Sequence, residues 1–430
     1  MASYTQQQII YALNSIANAP SGRHGSVAQL EAYATEVVTR VFEDPGVIDL
    51  IGEWQLVWGP AVYQVSSSTV ADNAMYVAQN KNQPNEFVVA ISGTNPISAY
   101  GWIVEDIEIN PPVTWPYGDA SPSVKGEITQ GTNVGLNVLL NILNSGGQSL
   151  SEYLASQVSA SPSALSITVT GHSLGGALSP ATALALLDTQ GIPLGQANGW
   201  DPDSKSSISV TPTAGPTPGN KTWRDYYDGR LGAATDRLWN AIDIVPHAWQ
   251  ISMLDQIPTI YEPTIPQNQF VSTLVSLAKL NSLAAGNLEQ IRPDVAGLPG
   301  TVDTSITISV QNLIVIIETL QVNKLIYKLA AKLSLSPDEL ALITAVIDDY
   351  IKHLNSQPGS ALVTAPAALS KLQTKNTSAL ESTSSTLYSS LITFIDFLIQ
   401  AAHQHTVAYA ELLGTQAYAD IVSAIEEEIG

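Results

Sequence analysis

Apolar positions recur every three or four residues in two stretches near the start of the chain, 5–19 (Ile9, Leu13, Ile16) and 26–43 (Leu30, Tyr33, Val37, Val41). That spacing gathers them on one face and predicts two helices, the second stopped by Asp44-Pro45-Gly46. From Trp54 the pattern shifts to aromatic and β-branched runs, WQLVWGPAVYQV, AMYVAQ and EFVVAISGT, separated by turn-rich segments 66–73 and 80–85. These read as three strands of a meander. Residues 96–110 return to helical spacing, with Ile97, Tyr100, Ile103, Val104 and Ile107 on one face and Glu105, Asp106 and Glu108 largely opposite. A helix over 125–143, a strand from Ser166, an Ala/Leu-rich helix and strands over 207–212 and 237–240 follow. Beyond Ile265 the pattern is almost wholly helical to about residue 400, with candidate helices at 269–285, 307–333, 337–354 and 386–402. Ser336-Pro337-Asp338-Glu339 gives the third of these a cap, a proline at its first position and a glutamate at its third. A last helix starts near Gln416.

The stretch Ser166–Leu187, SITVTGHSLGGALSPATALALL, changes from strand to helix within a few residues. Ile167 and Val169 with the β-branched Thr168 and Thr170 suit a buried strand, and the chain turns at Gly171-His172-Ser173-Leu174-Gly175. This is a G-x-S-x-G elbow, in which Ser173 occupies a strained strand-to-helix turn. Gly171 and Gly175 flank it where strand and helix come too close for a Cβ. The helix N-terminus aims unpaired N–H groups at the serine, so the Leu174 amide is the first expected donor to an oxyanion formed there.

Composition narrows the chemistry. Of 430 residues, 45% are hydrophobic and 13% charged, enough to bury a large core in one domain with an insertion or in two domains. The absence of cysteine removes disulfides, thiolate metal sites and a thiol nucleophile. A formal net charge of −21 argues against a nucleic-acid partner and disfavours electrostatic docking on anionic membranes. The first twenty residues lack a basic region followed by an apolar run, so no signal peptide is expected. The most apolar later stretch, 306–320, is interrupted by Gln311, Asn312 and Glu318, so no transmembrane segment is expected and the chain reads as soluble.

The strand end V-V-A-I-S-G-T-N-P resembles the oxyanion segment of the class 3 lipases, the family of the filamentous-fungal triacylglycerol lipases. A-G-P-T-P-G-N at 214–220 is similar to the family's G-x-P-x-x-G-N turn, and N-A-I-D-I-V-P-H at 240–247 to the setting of its catalytic acid. The resemblance covers roughly residues 55–250, with a weaker match near the C-terminus. It implies an α/β-hydrolase fold with a central, mostly parallel sheet and a large helical insertion before the catalytic histidine. It assigns Thr94 as the second oxyanion donor, through amide and hydroxyl, and Asp243 as the triad acid. Asp243 also stands out by itself, in an apolar context just beyond a strand and downstream of the serine. The family often has arginine before the glycine of its oxyanion segment. Ser92 stands there instead, which reads as loss of a supporting contact. The segment 96–110, with Trp102 near its middle, corresponds to the family's amphipathic lid.

Six histidines are available for the base. The fold's order Ser, Asp, His removes His24 and His172, and His247 lies too close to Asp243 to be the family's base, which leaves His353, His403 and His405. His353 reads as a solvated helix residue, and His403 and His405 would point about 200° apart on a helix. In the family an aromatic follows the histidine, and Tyr409 lies four residues after His405, so His405 is the expected base. The resulting expectation is a serine hydrolase acting on carboxylic esters, a triacylglycerol lipase or esterase, with catalytic Ser173, Asp243 and His405 and no metal or cofactor. Its partner is an ester or lipid substrate, taken up at a lipid–water interface. A phospholipase, a feruloyl or polyester esterase or an acyltransferase would keep the same triad. A non-catalytic lipase-like interaction protein is the alternative from another class. The expected organisation is a hydrolase core over 1–265, a helical insertion or cap over 266–399, and a return to the core over 400–430. No motif encodes acyl length or oligomeric state.

Overall fold

The computed structural model describes residues 2–66, 68–93, 109–303, 305–309, 362–364 and 383–430, with scattered single positions between 337 and 356. Thr94, His353, most of the expected lid and most of the expected helices at 307–333 and 337–354 lie outside these residues.

The centre is a five-stranded sheet of β1 (Trp54–Tyr63), β2 (Asn73–Asn80), β3 (Glu86–Ile91), β4 (Ser166–His172) and β5 (Ser207–Thr213), in that spatial order. Short turns join β1, β2 and β3, so these pair antiparallel, as a meander must. β3, β4 and β5 are separated by helical crossovers and pair parallel, with Ile91 opposite Gly171 and His172 opposite Thr213. The sheet is therefore mixed, and its parallel half carries the site. Parallel bridges Val210–Thr235 and Thr213–Leu238 extend that half, and Asn240–Leu298 extends it again. The strand expected over 237–240 is present in this form, as single bridges beside β5.

Alternate residues of β2 and β3 enter two cores. Met75, Val77, Phe87, Val89 and Ile91 face the helices α4 (Gln130–Asn141), α5 (Leu150–Ala160) and α6 (Leu174–Asp188). Tyr76, Ala78, Val88 and Ala90 face α1 (Gln6–Ser15), α2 (Val27–Glu43) and α3 (Pro45–Ile51). This period of two is what a strand imposes on a sheet covered on both faces. α6 is buried at every position from Gly175 to Leu186, as a helix apolar on all sides must be. This is the α/β-hydrolase fold.

Local chemistry sets several boundaries. Thr5 with Gln8 and Ser26 with Gln29 form capping boxes that start α1 and α2. Asp44-Pro45-Gly46 ends α2 and also starts α3, because the Asp44 carboxylate accepts from the Val47 amide and Pro45 opens the next helix. The helix expected from Thr307 is corrected at its start. Thr307–Ser309 is a strand paired antiparallel with Leu362–Thr364, and four of these six residues are β-branched, which favours strand over helix. Three further elements follow in chain order: α7 (Lys221–Leu231), α8 (Gln269–Ala284) and α9 (Thr383–His405). Between α8 and α9, residues 286–300 lie against the sheet: Leu288 and Ile291 are buried and the Leu298 amide donates to the Trp239 carbonyl. α9 crosses residue 400 without a break, followed by α10 (Ala408–Leu412) and α11 (Gln416–Ile429), which packs on α2 and α3.

Candidate active site

β4 runs into α6 with one residue between them, Ser173, held at φ 59° and ψ −120°. A side chain in that region is strained by roughly 1–3 kcal/mol, which the surrounding packing must offset. The Ser173 amide donates to the Thr213 carbonyl at 3.0 Å, fixing the turn to the neighbouring strand. The glycines are required by close approach: a Cβ on Gly171 would stand 2.3 Å from the Gly175 carbonyl oxygen, and one on Gly175 would stand 2.4 Å from that of Ile91. Leu174 opens the helix, where its N–H has no intrahelical acceptor and the dipole is positive.

Asp243 lies in the turn after the 235–240 segment, and its Oδ1 accepts from the Val245 amide at 3.0 Å. His405 ends α9. Its Nδ1–H donates to Asp243 Oδ2 at 2.8 Å, and its Nε2 lies 2.8 Å from Ser173 Oγ. A carboxylate takes the Nδ1 proton, so Nε2 is left as the acceptor for the serine hydroxyl. Asp243 and His405 are fully buried and Ser173 is 2% exposed, so this relay is desolvated. In such surroundings its hydrogen bonds are stronger than in water.

Further side chains hold the relay. The Tyr409 hydroxyl donates to the same Asp243 Oδ2 at 2.9 Å and accepts from the Asn240 amide at 2.9 Å. Burial, and after it the nearby Asp243 charge, pushes that phenol well up, so it stays a donor. The Asn240 side chain donates to Gln404 Oε1 and to its carbonyl oxygen, tying the acid-bearing turn to the base-bearing helix. His247 Nδ1–H donates to the Asp243 carbonyl at 2.7 Å, and burial lowers the pKa of that imidazole. His172 Nε2–H donates to the His405 carbonyl at 2.8 Å, with its ring 4.7 Å from the His405 ring. Burial first, and the adjacent His405 second, push its pKa down to about 3, so it is neutral.

The structure brings Ser173, Asp243 and His405 together, with Gly171, Gly175 and Leu174 at the elbow. His403 is half-buried, and the charges of Asp303 and Glu411 partly offset a burial that lowers its pKa. Thr94 lies outside the described residues, but its neighbour Gly93 does not. A Cβ on Gly93 would stand 3.1 Å from Ser173 Cβ, so the strand end abuts the serine. Ser92 has a contact of its own, its Oγ accepting from the Ala74 amide at 2.8 Å, so the expected loss of support there is made good locally. The bonds of Tyr409, Asn240 and His172 escape the sequence reading. Tyr409 was detectable only through its spacing from His405. Among the described residues no group of three or more His, Cys, Asp or Glu is placed to hold a metal ion.

A hydroxyl, an imidazole and a carboxylate in this order can pass a proton from Ser173 as its oxygen attacks an electrophilic carbon. Residues 88–253 match the class 3 lipase family. That segment contains the strand end, the elbow and Asp243. The solved structure of M37 lipase matches over 99% of this chain and 99% of its own, at 24% identity and a TM-score of 0.67, a likeness of fold. Lipase II from Rhizopus niveus aligns over 58% of this chain and 75% of its own, at 17% identity and a TM-score of 0.36. Rhizomucor miehei lipase in its propeptide complex aligns over 57% and 65%, at 19% identity and a TM-score of 0.38. No curated protein matches the sequence. The segment 88–253 is thus similar to the class 3 lipases, and the fold is that of the M37 lipase structure. No helix among the described residues is long and apolar enough to cross a membrane.

Proposed function

We propose that this chain hydrolyses carboxylic esters, acylglycerols foremost, with Ser173 as nucleophile, His405 as base and Asp243 as the acid that orients it. The observation that carries this reading is the pair of 2.8 Å contacts His405 makes, one to Ser173 Oγ and one to Asp243 Oδ2. His405 takes the serine proton as Oγ attacks the ester carbonyl and returns it to the leaving alcohol. The Leu174 and Thr94 amides hold the tetrahedral oxyanion. Water, deprotonated by the same imidazole, then releases the acid. The segment 96–110 serves as the lid that admits a lipid substrate, and residues 266–399 serve as a helical insertion over the core.

Ser173→Ala tests the reading. The variant should fold as the wild type does and lose ester hydrolysis by on the order of a million-fold, the scale seen when a triad serine is removed. A fluorophosphonate probe should label the wild type at Ser173 and leave the variant unlabelled. Wild-type turnover by the folded variant would exclude Ser173 as nucleophile.

A further inference from the structure

The base of the relay stands at the C-terminal end of α9, where the last carbonyls of a helix lose their intrahelical donors. One of those carbonyls belongs to His405 itself, and it meets a donor from the sheet, His172 Nε2–H at 2.8 Å. A carbonyl oxygen can only accept, so the hydrogen of the neutral ring sits on Nε2. His172 is the last residue of β4, paired with Thr213 across the parallel half of the sheet, and the next residue is Ser173. Nucleophile and tether thus leave adjacent positions of one strand end. The tether reaches the main chain of the base 233 residues further on.

The same ring is also packed against the relay. It lies 4.7 Å from the His405 ring, tilted by 42°, and meets the Tyr409 ring edge-on at 5.6 Å and 88°. His405 and Tyr409 both donate to Asp243 Oδ2, so one side chain touches two of the groups that hold the acid. Burial keeps the His172 imidazole neutral, and it therefore sets no charge against the imidazolium that His405 becomes on taking the serine proton. We propose that His172 is a positioning residue for ester hydrolysis, which ties the backbone of the base to the strand carrying the nucleophile and so fixes the Nε2–Oγ contact. This rests on the hydrolase reading above and gives a task to the position that the G-x-S-x-G pattern leaves open before the serine. The contact is used when the proton moves, so a loosened base slows turnover and leaves substrate binding alone. A displacement of about 1 Å can cost on the order of 100-fold.

The test compares three variants. His172→Gln carries an amide nitrogen near the place of Nε2, His172→Asn is one methylene too short to reach the His405 carbonyl, and His172→Leu fills the space without a donor. Kinetics on a soluble p-nitrophenyl ester are measured together with the rate of labelling by a fluorophosphonate, which reports attack by Ser173 without turnover. Wild-type turnover of this ester, lost in Ser173→Ala, establishes the hydrolase reading beforehand. His172→Asn and His172→Leu should each lower kcat by about 10- to 100-fold with KM nearly unchanged, and slow labelling by a similar factor. His172→Gln should recover most of both losses. If His172→Leu does not fold, His172→Asn decides by the same readouts. Unchanged kcat and labelling in folded His172→Asn would overturn the tether while leaving the hydrolase reading intact. So would a loss confined to KM, or a His172→Gln as slow as His172→Asn.

Discussion

The two histidines at the end of α9 differ in what they face, and that difference can be measured. His405→Ala should reduce kcat by on the order of 10⁴-fold or more, since the hydroxyl then has no base. His403→Ala should cost less than about threefold, because a side chain two residues from His405 on the same helix leaves on another face. Asp243→Asn should be nearly as severe as loss of the base, because an amide there favours the wrong imidazole tautomer. Comparable losses at both histidines would contradict the assignment. His172 makes a separate prediction about stability. Its folded pKa, about 3, lies below the unfolded value near 6.5. The unfolded chain therefore binds the proton more readily as pH falls. Stability is fully present above pH 6.5 and is lost as pH drops towards 3, by up to roughly 5 kcal/mol. His172→Gln keeps a donor for the His405 carbonyl but has no proton to gain. Denaturant melts of this variant between pH 3 and 6.5 should show a shallower loss than wild type, and equal slopes would refute the assignment.

At the scale of elements, α9 carries both the base and a buried liability. Asp396 is half-buried in a run of α9 whose Phe394, Ile395, Phe397 and Leu398 are buried, its Oδ1 has no hydrogen-bond partner among the described residues, and burial raises its pKa to about 6. A carboxyl raised above its unfolded value near 3.9 stabilises the fold at low pH and loses that contribution as pH climbs through 6. Asp396→Asn should raise the melting temperature at pH 8 by on the order of 1–2 °C and give no gain at pH 4. A gain equal at both pH values would point to packing instead of charge. The proposed lid ends at Ile109, which is buried, and at Asn110, whose Nδ2 donates to the Asn281 carbonyl of α8 at 3.0 Å. On the lid proposal, the apolar face expected over Ile103 and Ile107 exchanges the site for a lipid surface. Activity on a triglyceride should rise several-fold once droplets form, and replacing Ile103 and Ile107 with Ser should flatten that rise while sparing short soluble esters. Smooth kinetics through the solubility limit would exclude a working lid.

Over the whole molecule, what was legible in the sequence was whatever chemistry is local. The elbow glycines, the β-branched run before Ser173 and the apolar turn around Asp243 each fit within about ten residues, and the strand, the turn and the close approach at the glycines are present in the structure. What escaped was made by distance. Tyr409 reaches Asp243 across 166 residues, and Asn240 reaches Gln404 across 164, pairings with no periodic trace in either segment. The mostly polar helix KTWRDYYDGRL at 221–231 also gave no sequence signal, since Trp223, Tyr227 and Leu231 alone are buried there. The Gly93 amide's bond to Asn18 Oδ1 and the Ser21 hydroxyl's bond to the Gly93 carbonyl belong with these. The same long reach has a consequence in time. Synthesis runs from Ser173 towards His405, and the two lie 232 residues apart. At about 5–20 residues per second, the ribosome makes the nucleophile some ten to fifty seconds before it makes the base. Through that interval the serine hydroxyl has nothing to take its proton, so on the proposed mechanism a growing chain surrounded by cellular esters stays inert until α9 is made and docks.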